Sequence, residues 1–530
     1  MESKKVFVRD ATGLTREISG WDALAGNLAS MGIGYLFLYV FFASLLYPGV
    51  NLPATVVFML LPGFVFSLLY YYFSVAMPRS GGDYVFVGRV LHPSIGFMTN
   101  FFTTLSIITF LAGNAAFATT YGLGTMFVGL GLVYSSPSLI ALANSISTLP
   151  YSFVISAILM SAFVFLIFLH TRVVFRVVVI LTAIAILGTV VMVLAFFTAS
   201  TATFVSNFNL LSGMNYQEII SRAGMATGFT LQATLTGAVF TIYNSTGFNW
   251  SAYYGGEVKN VKKSQFIGIV GSMLLFAFFA GIIYLAAYYS PGAAFVNSIS
   301  YLAGTGNSAY TLPASPVLNL LVVFANPNPI IIILASLAFI ATALSSDAVE
   351  TFIVTRNLFA WSFDRLMPSW LAKTDSRTNS PYLAVLATWI FSVVLIILYF
   401  YTTVFNYLGY TFVCIFATYT LTSLAGIVFP YRRRDIFEAA PDAVKKRIAG
   451  IPRITLLGIA GLILGVFIIY SAIQPGVTPP PSGPPLVQAL TYLFAPLTGL
   501  SALIIYAIAY LYRKSQGIDL NLAFKEIPPE

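Results

Sequence analysis

From Leu24 onward the chain is a succession of apolar runs, most about twenty residues long or longer, separated by short polar or Gly/Pro-rich breaks. An α-helix rises 1.5 Å per residue, so about 20 such residues cross the ~30 Å hydrocarbon core of a bilayer. Twelve runs meet that requirement. They are Leu24–Tyr47, Leu52–Ala76, Ile95–Thr120, Tyr151–Leu169, Val177–Phe197 and Gly228–Tyr254, then Ile267–Ala287, Ile330–Trp361, Leu383–Tyr401, Leu408–Phe429, Ile454–Ile473 and Leu486–Tyr512. Water-soluble domains cover their surface with about 25% charged residues. Here 8% are charged and 58% hydrophobic, so most of the outer surface must face lipid. The predicted fold class is an all-α polytopic membrane protein of 12 transmembrane helices. Met126–Pro150 is apolar but interrupted by Ser, Gly and Pro, and reads as an external loop with a surface helix.

A wrongly assigned span would invert every later loop, so the Lys and Arg residues test the count. With the N-terminus inside, alternate segments collect Lys4, Lys5, Arg9 and Arg16, Arg79 and Arg89, Arg172 and Arg176, and Lys259, Lys262 and Lys263. The same side takes Arg356, Arg365, Lys373 and Arg377, then Arg432 to Arg434, Lys445, Lys446, Arg447 and Arg453, and finally Arg513, Lys514 and Lys525. That is 25 of 26 Lys and Arg, with only Arg222 on the other side. Both termini are therefore expected in the cytoplasm of a multi-pass protein of the cell membrane.

Several function classes are excluded by the same reading. The net charge of +9 forms no basic stripe, which argues against nucleic acid. Cys414 is the only cysteine and lies in an apolar run, so no disulfide or cysteine-based metal site is expected. The first twenty residues contain no apolar stretch, and no cleaved signal peptide is expected. Thr478–Pro485 (TPPPSGPP) reads as a stiff connector before the last span. Sequons at Asn244 and Asn249 fall inside the sixth span, where glycosylation is implausible.

In lipid, unwound helix is tolerated only where it lines a cavity, and a matched pair of glycine-interrupted spans points to a solute site. The first span contains Ser30-Met31-Gly32-Ile33-Gly34, and the sixth contains Asn244-Ser245-Thr246-Gly247-Phe248-Asn249. These spans are five apart, the offset of a 5+5 inverted repeat with broken helices 1 and 6, plus two C-terminal helices. The corresponding organisation is a cytoplasmic segment 1–23, a first five-helix repeat 24–200, a second repeat 201–430, a cytoplasmic loop 431–453, transmembrane helices 11–12 over 454–512, and a cytoplasmic tail 513–530. Amides freed beyond the breaks, at the positive ends of half-helices, can hold a carboxylate, and the freed carbonyls an ammonium group or Na⁺. The bland alternative is that these glycines only let helices pack closely.

Three stretches resemble the amino acid–polyamine–organocation (APC) permease superfamily, which has the leucine-transporter-like fold. They are Pro78–Tyr84 (PRSGGDY) with His92-Pro93 and Gly96-Phe97, Gly247-Phe248-Asn249 with Gly256–Asn260 (GEVKN), and Thr355-Arg356 with Phe363–Pro368 (FDRLMP). The Arg-Asp-Gly common in the last loop of relatives is missing. The resemblance places a substrate site on Ser30, Met31, Gly32, Ile33 and Gly34, with the carboxylate on the amides around Gly32, Ile33 and Gly34, and on Thr246, Gly247, Phe248 and Asn249. It gives Tyr243 the place of an aromatic gate. Many relatives have Glu where Asn249 stands, which favours neutral amino acids here. Some proton-coupled relatives carry Lys in the fifth span, whereas Val177–Phe197 has no ionisable residue. In sodium-coupled relatives, adjacent hydroxyls on the eighth span complete an ion site; here Ser345 and Ser346 would do so with the carbonyls of Leu28 and Met31.

Asp347 and Glu350 are costly at membrane depth and share one helix face. They are expected to pair with Arg356 or Arg79, face the inner vestibule, or carry a coupling proton. His92 and His170, at span ends, read as interfacial. No nucleotide-cradling loop is present, so ATP-driven pumping is not expected. The reading is a secondary active transporter, not an enzyme, that moves amino acids by alternating access with Na⁺ or H⁺ as coupling ion and no cofactor. The alternatives are an exchanger for amino acids, polyamines or other amines, and a non-transporting solute sensor. The sequence leaves the oligomeric state open.

Overall fold

The computed structural model describes residues 16–375, 378, 380–402, 411–474, 484–518 and 520. Among them eleven helices are long and apolar enough to cross a membrane. They are the first span (Gly20–Leu46), second (Leu52–Ala76), third (Pro93–Val133), fourth (Tyr151–Phe168) and fifth (Thr171–Thr198), then the seventh (Val261–Tyr289), eighth (Pro329–Phe363), ninth (Tyr382–Tyr401), tenth (Thr411–Arg432), eleventh (Arg453–Ala472) and twelfth (Phe494–Ser515). The ordinals keep the order of the predicted runs. The sixth run is a helix of only 13 residues, Leu231–Tyr243, followed by short 3₁₀ turns at Trp250–Tyr253 and Gly255–Glu257. It is too short to span alone. Lys4, Lys5, Arg9, Arg377, Lys525, residues 408–410 of the tenth run and all but the last two residues of the proline connector lie outside the described residues.

The ends follow their local chemistry. Ser19 and Asp22 form a capping box at the start of the first span, each side chain accepting from the other's amide. Asn51, with Pro53 just inside the helix, caps the second span, and His92 with Pro93 the third. The third span corrects the expected loop. Its helix runs through a π-helical turn at Ala118–Gly124 and continues as Thr125–Val133, and only Pro137–Ser147 is a separate surface helix. Gly122 and Gly124 explain the continuation: a methyl on either would lie 2.5 Å from Ile340 Cγ1 or 2.2 Å from Ser147 Oγ. They are packing glycines here, not breakers.

The seven segments expected on one side of the membrane do meet at one end. Glu17 pairs with Arg172, the Lys259 amide donates to Ile18, and Arg89 pairs with Asp364. Arg433 donates to the Arg89 carbonyl and Arg513 to the Arg365 carbonyl. At the opposite end the Thr230 amide donates to the Gly49 carbonyl, Tyr216 to Pro291, and Arg222 pairs with Glu218 one turn away.

Candidate functional site

The two predicted breaks are both real, and they touch. The first span ends its opening helix at Met31, and Gly32 takes φ +74°, donating to the Leu28 carbonyl as a left-handed cap. One 3₁₀ turn, Ile33–Tyr35, precedes the second half, Leu36–Leu46. In the sixth segment the helix stops where polar side chains join the backbone on its last carbonyls: Asn244 N and Nδ2 both donate to Phe240 O (3.1 and 2.8 Å), and Ser245 N and Oγ both donate to Ile242 O (3.2 and 2.7 Å). Gly247 then adopts φ +110°, a conformation side chains rarely take. A methyl placed on it would lie 3.1 Å from Met31 N and from the Ser30 carbonyl carbon. Backbone therefore meets backbone at the centre of the molecule.

Four consecutive amides in the sixth break, those of Thr246, Gly247, Phe248 and Asn249, donate to no backbone carbonyl among the described residues, and of these the Gly247 amide meets the Tyr419 hydroxyl oxygen. Unpaired N–H groups in an apolar interior are costly, and they are the donors a carboxylate needs. Three neighbours hold the junction. Asn27, fully buried, donates to the carbonyls of Phe248 and Gly268 (2.8 Å) and accepts from Ser251 N (2.8 Å). Thr342 of the eighth span accepts from Gly34 N (3.0 Å) and donates to Ala338 O. Tyr419 of the tenth span donates to Asn249 Oδ1 (2.8 Å), leaving the buried Asn249 amide nitrogen without a partner.

Of the residues singled out in the sequence, Ser30, Met31, Gly32, Ile33, Gly34, Thr246, Gly247, Phe248 and Asn249 line this junction. Ser30 Oγ donates back to Gly26 O, and the Phe248 ring packs on Tyr70 and Tyr419. Tyr243 stacks on Phe412 at a 4.0 Å centroid distance and donates to Ile468 O on the eleventh span.

The ion-site candidates lie beside the first break. Leu28 O receives Gly32 N–H, Ser345 Oγ donates to Thr342 O (3.0 Å), and Ser346 Oγ donates to Glu350 Oε1 (3.0 Å). Asp347 is fully buried, with the Asn114 side chain as its polar neighbour. The expected pairing of these acids with Arg356 is corrected. Arg356 grips Glu257 in a bidentate pair (2.8 and 3.1 Å), both 2% exposed, and sits over the Phe352 ring. Glu257 also accepts from Thr171 (3.3 Å). Glu350 instead receives Asn114 Nδ2 (2.9 Å), and Asn114 Oδ1 receives Tyr35 OH (2.7 Å).

The PRSGGDY loop packs on the sixth-segment exit: Gly81 N donates to Tyr253 O (2.8 Å) and Asn100 Nδ2 to Gly81 O (3.0 Å). Burial pushes the Asp83 carboxyl up to about 7, partly offset by the neighbouring Tyr253, Thr99 and Asn100 side chains. His170 lies 3.3 Å from Glu17 at the charged end, and His92 serves as a helix cap. Cys414 is buried and free, and no cluster of metal ligands occurs among the described residues. Sequence reading missed Asn27, Thr342, Tyr35, Asn114 and Tyr419. Their only local signal is a polar group inside an apolar run.

A family model described as amino acid permease matches residues 18–501, from just before the first span to within the twelfth. The chain belongs to the amino acid permease family of the APC superfamily, a family of membrane transporters.

Proposed function

We propose that the chain is a secondary active transporter of amino acids, built as twelve segments with a 5+5 inverted repeat and two added helices, and working by alternating access. The reading rests on one observation, the two breaks lying backbone to backbone with three amides beside them, those of Thr246, Phe248 and Asn249, that donate to no backbone carbonyl, and a fourth, of Gly247, facing only the Tyr419 hydroxyl. Those amides take the α-carboxylate, and the freed carbonyls of the first break take the α-ammonium. Neutral amino acids are the preferred class. Asn249 stands where a carboxylate would attract a basic side chain, and Glu257 is already bound to Arg356. A cation gradient drives uptake, with the coupling site at Ser345–Asp347 beside the first break. The basic end faces the cytoplasm of a cell membrane. There the bond between Ile18 and Lys259 and the Arg356–Glu257 pair close the path.

The test is uptake of radiolabelled amino acids into proteoliposomes with Na⁺ and pH gradients imposed separately. Accumulation of a neutral amino acid under one gradient supports the reading. Exchange of preloaded solute without accumulation removes the coupling, and movement of no amino acid removes the substrate class.

A further inference from the structure

Near its charged end, the twelfth span turns one face toward a cleft. Ile505, Ile508, Ala509 and Tyr512 follow the i, i+3, i+4, i+7 spacing of a single helix face. Residues 366–370, in the loop after the eighth span, form the opposite wall. Between the walls lies a cavity of about 510 Å³, a size that holds small molecules. Ile504, Ile508 and Leu511 are exposed apolar side chains on this span, so the cleft opens toward lipid. From Ile505 to Arg513 the helix rises about 12 Å, which carries the cleft from the charged end into the hydrocarbon layer.

The mouth of the cleft offers donors and no negative charge. Arg513 Nε donates to Arg365 O (2.8 Å), one terminal nitrogen to Gln516 Oε1 (3.0 Å) and the other to Met367 O (3.5 Å). A guanidinium carries five N–H groups, so two stay unused. No carboxylate meets Arg513 among the described residues; Asp364, at the start of the facing loop, is held by Arg89. The Ser369 hydroxyl and the Trp370 indole N–H, both lining the cleft, make no hydrogen bond among the described residues. Lys514 is exposed and adds a second positive charge beside Arg513. Donors and positive charge above an apolar cleft match a molecule whose phosphate is joined to a hydrocarbon chain. A second copy of this chain matches poorly, because in a two-fold interface the positive rim would meet itself.

We propose that this cleft binds an anionic phospholipid, its phosphate on Arg513, Ser369 and Trp370 and one acyl chain along Ile505, Ile508 and Ala509. Arginine suits the role because its planar fork can give a phosphate two N–H bonds and stays charged at the interface. Tyr512 and Trp370 are rings of the kind that settle at headgroup level. A zwitterionic lipid has the same phosphate, but its ammonium group cancels the attraction of Arg513 and Lys514. The bound lipid also fastens two parts of the fold. Arg513 ties the carbonyls of Arg365 and Met367 to the twelfth span, and a phosphate on the same guanidinium strengthens that joint.

Trp370 itself reports on occupancy, since a brominated acyl chain quenches only the indoles it touches. The full-length protein is placed in phosphatidylcholine vesicles holding a minor fraction of brominated phosphatidylglycerol or, separately, of brominated phosphatidylcholine. Subtracting the signal of Trp370→Phe isolates the Trp370 component. Wild type is expected to show about fivefold enrichment of phosphatidylglycerol over phosphatidylcholine there, the effect of about one basic side chain near the membrane surface. Arg513→Gln is expected to abolish that preference, and Arg222→Gln, at the opposite end, to keep it. Ala509→Phe fills the cleft while leaving the Arg513 side chain in place, and is expected to lower the preference even if Arg513→Gln fails to fold. Equal quenching by the two lipids in wild type overturns the site, as does a preference that survives either cleft variant. Absence of quenching by both lipids would show the cleft covered by protein. Loss of the preference on adding millimolar inorganic phosphate at constant ionic strength would show a free anion as the occupant. Either result overturns the lipid.

Discussion

Replacing Asn27 by alanine probes the contact between the two breaks at its most concentrated point. The substitution removes three bonds to backbone, at Phe248 O, Gly268 O and Ser251 N. Side-chain hydrogen bonds between membrane helices average about 0.6 kcal/mol and reach about 1.7, so three of them give about 2 to 5 kcal/mol. Phe248 and Ser251 lie in or next to unwound backbone, where no helical turn can take over their groups. A local cost of about 3 kcal/mol is therefore expected, equivalent to about a hundredfold faster opening. Hydrogen exchange of peptides covering residues 246–254 in lipid nanodiscs measures it. Ser200→Ala, which removes an exposed helix cap bonded to Thr203, serves as the control and leaves that segment unchanged. Equal exchange at 246–254 in wild type and Asn27→Ala would refute the claim that Asn27 holds the junction.

Gly34→Ala places a methyl 2.5 Å from Thr342 Oγ1 and 2.9 Å from Ala338 O; it should lower stability to unfolding by about 1–3 kcal/mol, as overpacking does. Arg356→Ala strands Glu257 in a buried site and is expected to cost about 3–5 kcal/mol, whereas the paired change Arg356→Met with Glu257→Leu recovers most of it; equal losses in both would refute a simple ion-pair role. For Asp83, held near 7 by burial, the folded state binds its proton more tightly than the unfolded chain does. Its contribution is complete below about pH 4 and disappears as pH rises through about 7. The unfolding midpoint of wild type relative to Asp83→Asn should thus fall across that window, and parallel curves would contradict it.

Much of the fold was readable because lipid imposes one length and one polarity on every crossing helix. Among the described residues, eleven of the twelve predicted runs are helices long and apolar enough to cross a membrane, and residues from the Arg- and Lys-rich loops meet at one end. The third span was cut short because the Ser, Gly and Pro residues of Met126–Pro150 read as a loop in one dimension, whereas the helix runs on through Gly122 and Gly124 to Val133. Contacts with Ile340 and Ser147, which no local pattern shows, leave room there for glycine alone. Position was legible for the two breaks, where Gly32 and Gly247 both take positive φ. Partners were not: Asn27 reaches across 221 residues to Phe248, and Gly34 across 308 to Thr342. The sequence placed Arg356 near Asp347 and Glu350 along the chain, yet its guanidinium turns to Glu257, 99 residues away. Bidentate geometry decides that choice, and helix spacing cannot show it.

The central claim is that solute is held where the first and sixth segments are unwound. Equilibrium binding of radiolabelled neutral amino acids to detergent-solubilised wild type and Gly247→Ala tests it most directly. Alanine at 247 must give up φ +110° and meets the Ser30–Met31 backbone at 3.1 Å, so the amides of residues 246–249 lose their alignment. The account predicts saturable binding in wild type and its loss in Gly247→Ala, with helix content unchanged. Undiminished binding in Gly247→Ala would place the solute elsewhere and contradict the account.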